Sequence, residues 1–70
     1  MPLSMRKAGE TSVISKIGGR EETRQFLHKL GFIVGDSVTI ISEIGGNIIV
    51  SVKESRVAIG KDMANKIMVR

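Results

Sequence analysis

The chain has 70 residues, with eleven Lys and Arg against seven Asp and Glu for a formal charge of +4, one histidine and no cysteine. A chain this short buries only about 60% of the surface its unfolded form exposes, so its core is small. Without cysteine it has neither a disulfide framework nor a Cys-rich zinc site. Phe26 and Phe32 are the only aromatics, which leaves Ile, Val, Leu and Met to supply most of the core. The basic residues form no run, no window reaches the ~18 apolar residues of a membrane span, and Met1 to Ala8 lacks the apolar region of a signal peptide. These features predict one soluble, cytoplasmic domain over residues 1–70, with no direct membrane insertion.

Met1 to Arg6 reads as an extended lead-in, because Pro2 does not suit a central strand. Lys7-Ala8-Gly9-Glu10 reads as a turn. Thr11 to Ile17 is the first strand, with Val13 and Ile17 on one face and Ile14 and Lys16 on the other. Gly18-Gly19 then opens a helix over Arg20 to Leu30. Glu21 and Glu22 in its first turn and Lys29 in its last match the helix dipole. Thr23, Phe26, Leu27 and Leu30 share the face that must pack on the strands, while Arg24, Gln25 and His28 point elsewhere.

Leu27 to Ile40 carries the densest structural signal. Gly31 stands where a helix end wants a left-handed residue, and Phe32 falls where a Schellman ending packs back onto Leu27. Gly35-Asp36 is a turn, and Val38-Thr39-Ile40 opens a β-branched run. Ser37 to Ile44 and Ile48 to Glu54 form a hairpin around Gly45-Gly46-Asn47. A three-residue loop sets Ile44 opposite Ile48 and Ile40 opposite Val52, whereas a two-residue loop sets Ile40 opposite Ser51. The first register pairs apolar with apolar and is the expected one. It turns Val38, Ile40, Val50 and Val52 to the core, and Thr39, Ile41, Glu43, Ile49, Ser51 and Lys53 outward. Ile41 and Ile49 then form an exposed apolar pair, a candidate contact patch or self-association surface.

Ser55 to Ile59 is a further short strand, with Val57 and Ile59 on one face. Asp62 is placed to cap a helical turn through Asn65, and Ile67-Met68-Val69 is the last strand. The order implies a mainly β fold: a small, partly open barrel of about five strands. One helix follows the first strand and a helical turn precedes the last.

The parts of a catalytic site are missing. Cysteine is absent, no serine sits in GxSxG, and the acids are scattered or diverge around the helix, so the chain is not expected to be an enzyme. Gly18-Gly19 precedes a helix but lacks GxxxxGK[ST] and is followed by two acids that repel phosphate. His28 is the one weak metal candidate, with Glu21 two turns away and no HxxE or HxxxH partner. No cofactor is required by any motif. Both aromatics are expected in the core, which counts against base stacking and nucleic-acid binding.

Leu27, Leu30, Gly31, Phe32, Gly35 and Val38, then Arg56-Val57-Ala58-Ile59, then Met63-Ala64-Asn65 with Ile67, together resemble the ferrous iron transport protein A (FeoA) family over Leu3 to Val69. The resemblance implies an SH3-like barrel with an inserted helix. It implies a small accessory of the membrane ferrous iron transporter FeoB, docking on that protein's cytosolic GTP-binding part and regulating transport or assembly. It also brings a metal-binding label, for Fe2+ or Zn2+, that the residues do not themselves support. The alternatives are a divalent-metal sensor that changes oligomeric state, a homodimer among its forms, and a nucleic-acid-binding barrel. The first group of motif residues has structural explanations, so partner contact is expected at exposed positions: the helix side of Arg24 and His28, and the outer hairpin face of Ile41 and Ile49. Arg56 is expected to anchor a turn carbonyl.

Overall fold

The computed structural model describes residues 1–70. A short 3-10 turn, Leu3–Met5, precedes five strands: β1 (Thr11–Ile17), β2 (Ser37–Ile44), β3 (Asn47–Val52), β4 (Ser55–Gly60) and β5 (Ile67–Val69). Helix α1 (Glu21–Lys29) joins β1 to β2, and α2 (Lys61–Ala64) joins β4 to β5. Every pairing is antiparallel, in the order β4-β3-β2-β1-β5. The edges β4 and β5 do not pair with each other, so the mainly β barrel stays partly open, as the order of elements predicts. The lead-in is not fully extended. Its 3-10 turn inserts Leu3 into the core at 0% exposure, while Pro2 forms an isolated bridge to Met68. Met1 exchanges bonds with the same edge, its ammonium donating to the Val69 carbonyl at 2.9 Å and its carbonyl accepting from the Val69 N–H at 2.7 Å.

The end of α1 follows the Schellman pattern read from the sequence. The Phe32 N–H donates to the Leu27 carbonyl and the Gly31 N–H to that of His28, both at 3.0 Å, with Gly31 at φ +107°. Leu27 and Phe32 are completely buried and Leu30 packs on the core. Phe26 is a correction: it is 49% exposed. At about 100° per residue it lies on the margin of the apolar stripe, where a nine-residue helix resting on a curved sheet does not reach.

Two β-bulges account for the other departures. In β1 the register shifts between Ile14 and Lys16, so the inward residues are Ser12 and Ile14 before the bulge and Ile17 after it. The expected opposition of Ile14 to Ile17 therefore fails, because one extra residue reverses the alternation. In β2 the shift falls between Ile40 and Ser42 and sets two residues, Ile41 and Ser42, against Ile49. The loop has two residues, Gly45-Gly46, with Ile44 opposite Asn47, and not three. Gly45 at φ +60° fits the first central position of a type II′ turn. The bulge sets Ile40 opposite Val50, not opposite Val52 as expected, and Val38 opposite Val52, so the pairing and the loop length differ from the expectation while all four core assignments on this hairpin stand.

β3 ends at Val52, and Lys53 and Glu54, at φ +53° and +64°, make a two-residue turn into β4. Val57 and Ile59 pack inward as read. Gly60, not Asp62, occupies the cap position of α2, and no side chain caps that helix. Ala64 and Ile67 complete a cluster of 13 buried apolar residues.

Candidate functional surface

No cavity is present and no group of three or more His, Cys, Asp or Glu side chains is gathered anywhere in the chain. His28 is exposed on α1 and its side chain makes no hydrogen bond or ion pair. These residues do not fit a metal centre built by one copy of the chain, since a closed site needs about four ligands. What the structure offers is surface.

On the outer face of the sheet, cross-strand partners form two rows. Thr39 of β2, Ser51 of β3 and Arg56 of β4 line up as one, and Thr11 of β1 joins it through a 2.8 Å bond between the Thr11 and Thr39 hydroxyls. The second row is apolar: Ile41 in the bulge, Ile49 opposite it, and Ala58 beside Ile49 on β4. Ile41 is 37% exposed and Ile49 half-buried. The bulge also turns Ile44 onto this face, where it is 64% exposed. The sequence reading missed Ile44 because it set that residue against the inward Ile48. For the same reason Glu43, expected outward, pairs with Ile48 and reaches Lys61 of α2 at 2.5 Å. Arg56 bonds no turn carbonyl and stays on the exposed face.

Arg24 and His28 occupy one flank of α1. The Arg24 Nη1 donates to the Gly19 carbonyl at 3.3 Å. Neither belongs to the isoleucine row: Arg24 and His28 lie on α1, and the row lies on β2 and β3. The four candidate residues stand on the two places named from the sequence, Arg24 and His28 on the helix and Ile41 and Ile49 on the outer hairpin face. The six motif residues of Leu27 to Val38 serve the fold: Leu27, Phe32 and Val38 are buried, Leu30 packs against them, and Gly31 and Gly35 adopt positive φ.

The model of the FeoA domain matches residues 1–70. A Methanocaldococcus jannaschii protein named as a candidate Fe(2+) transport protein A is 37% identical over 68 residues, covering 97% of this chain and 83% of its own length. The crystal structure of an iron uptake regulatory protein, FeoA, superposes with a TM-score of 0.92 at 36% identity, covering all of this chain and 93% of that one. Stenotrophomonas maltophilia FeoA, solved with zinc and described as a prokaryotic SH3 domain protein, shares the fold with a TM-score of 0.88 at 22% identity, over all of this chain and 89% of its own. The five-stranded open barrel is accordingly SH3-like, and the chain belongs to the FeoA family of iron-transport accessory proteins.

Proposed function

We propose that this protein is a cytoplasmic accessory of ferrous iron uptake that docks on the cytosolic GTP-binding part of the membrane transporter FeoB and regulates its transport or assembly. Family membership supports the iron-transport role. The observation that carries docking is the apolar row on the outer sheet face, where Ile41 and Ile44 are exposed beside the half-buried Ile49. Without cavity or ligand cluster, such a face suits contact with another protein.

The test is a two-dimensional NMR titration of the labelled protein with the transporter's soluble cytosolic domain, with and without guanine nucleotide. Saturable shifts that include Ile41, Ile44 and Ile49 on β2 and β3 are expected. The I41D/I49D variant should weaken binding at least about tenfold, as loss of a central apolar anchor does. Binding unchanged in that variant, or no binding by the wild type, overturns the docking reading.

Zinc in the Stenotrophomonas maltophilia relative supports a second reading, a divalent-metal sensor. With no donor set in one copy, His28 would need ligands from another copy, so metal binding would be tied to dimerisation. Sedimentation with and without Zn2+ tests this. A stoichiometric shift that H28A abolishes supports it, and an unchanged monomer overturns it.

A further inference from the structure

The surface charge of the molecule is divided unevenly. Three of its seven acids are held in ion pairs, Glu10 with Arg6, Asp36 with Lys53 and Glu43 with Lys61. Lys16, Arg20, Arg24 and Lys66 have no ion-pair partner, and the fold gathers them around Gly18-Gly19. Lys16 lies opposite Met68, and the Gly18 N–H donates to the Lys66 carbonyl at 2.7 Å, so Lys16 and Lys66 are diagonal neighbours on the outer face of β1 and β5. A Cβ on Gly19 would sit 3.1 Å from Lys66 Cδ, which shows the lysine stem running across this glycine. On its other side the Arg24 guanidinium reaches the Gly19 carbonyl, and Arg20 stands one turn before Arg24, its carbonyl accepting the Arg24 N–H at 3.0 Å. Glu21 and Glu22 lie about 60° and 160° around the helix from Arg24, so the nearer acid borders the cluster and the other faces away.

We infer that Lys16, Arg20, Arg24 and Lys66 form a docking surface for an acidic segment of a protein partner, separate from the isoleucine row. The inference rests on the docking reading above and gives that partner its chemistry. Four cations on a pocketless surface complement a short run of carboxylates. No aromatic stands among them to stack a base. The isoleucine row lies on β2 and β3 and the cations on β1, α1 and the start of β5, so one partner bound at both would make two separate contacts.

The test measures affinity for the transporter's cytosolic domain at low and physiological salt, and for a glutamate-rich peptide. The K16E/K66Q variant is compared with K7E/K29Q, which changes the net charge equally elsewhere. The glutamine at 66 keeps most of the stem that packs over Gly19. A fall of about tenfold for K16E/K66Q, shrinking as salt rises, with little change for the control, is expected. NMR shifts from the peptide should centre on Lys16, Gly19, Arg24 and Lys66. Equal effects of the two variants, or no effect of either on a wild type that binds, overturn this inference and leave the docking reading standing. Tighter binding to single-stranded RNA or anionic vesicles than to the peptide also overturns it. A wild type that ignores the cytosolic domain overturns the docking reading, and the peptide shifts then decide the charge surface by themselves.

Discussion

Replacing Gly31 by alanine probes the junction of α1 with the β3–β4 turn. Gly31 sits at φ +107° and Gly35, four residues on, at +96°, so both impose a comparable backbone penalty on an L side chain. That penalty is about 1–2 kcal/mol, partly offset by the entropy alanine removes from the unfolded chain. The sites differ in surroundings. A Cβ at Gly35 meets nothing within 4 Å, while one at Gly31 lies 3.2 Å from Lys53 Cγ and 3.6 Å from Val52 Cγ1. The lysine stem is not free to swing away. Its backbone is fixed in the turn and its Nζ lies 2.7 Å from Asp36 Oδ2. Crowding therefore adds about 1–2 kcal/mol at Gly31 alone. Against a total stability of about 4–10 kcal/mol for a chain of this size, the difference is large. Urea unfolding followed by far-UV circular dichroism should place the G31A midpoint about 1–2 M below that of G35A, given a slope near ~1 kcal/mol/M. In a K53A background the gap should narrow. Equal midpoints for G31A and G35A would refute the crowding argument.

Other outcomes follow from the same geometry. Ser12 is 6% exposed and its hydroxyl has no hydrogen-bond partner, so S12A should raise stability by up to about 1 kcal/mol, read from the same unfolding curves. Glu54 at φ +64° strains a turn that favours glycine at its second position, and E54G should be neutral or stabilising by up to about 1 kcal/mol. I44K should leave the unfolding free energy within about 0.5 kcal/mol of wild type, whereas I40K should unfold the protein. The reverse order would show that the bulge at Ile41 is misplaced. L27A, which empties a fully buried position, should cost about 2–5 kcal/mol and leave little folded protein at 37 °C.

What could be read from the sequence was what local chemistry specifies. Gly31 and the Leu27–Phe32 spacing define a helix end through their own hydrogen bonds, and β1 is bounded by a turn and a glycine pair, so both were legible. A bulge has no such mark. Nothing in Ser15 or Ile41 announces that one residue will drop out of the ladder, yet each reverses every side chain beyond it. From bulges came the misread loop length, the outward Ile44, the Glu43–Lys61 pair and the shared inward face of Ile14 and Ile17. Lys53-Glu54 was invisible as a turn because its left-handed residues are neither glycine nor asparagine. The basic cluster was equally hidden. Lys16, Arg20, Arg24 and Lys66 are spread over 50 residues and meet only because β5 pairs with β1.

The pairing of Met1 and Pro2 with β5 brings the first residues of the chain beside the last. The Arg6 guanidinium also donates to the Arg70 carbonyl at 2.7 Å, a second tie across the same seam. In topological terms the backbone is a loop that almost closes on itself. A linker of a few residues would seal the seam, and the chain could be recut between Gly45 and Gly46, where an added Cβ meets nothing within 4 Å. Such a permutant would keep every strand neighbour of the original while moving its free ends to the isoleucine row, so a reporter attached there would sit against whatever protein that row contacts.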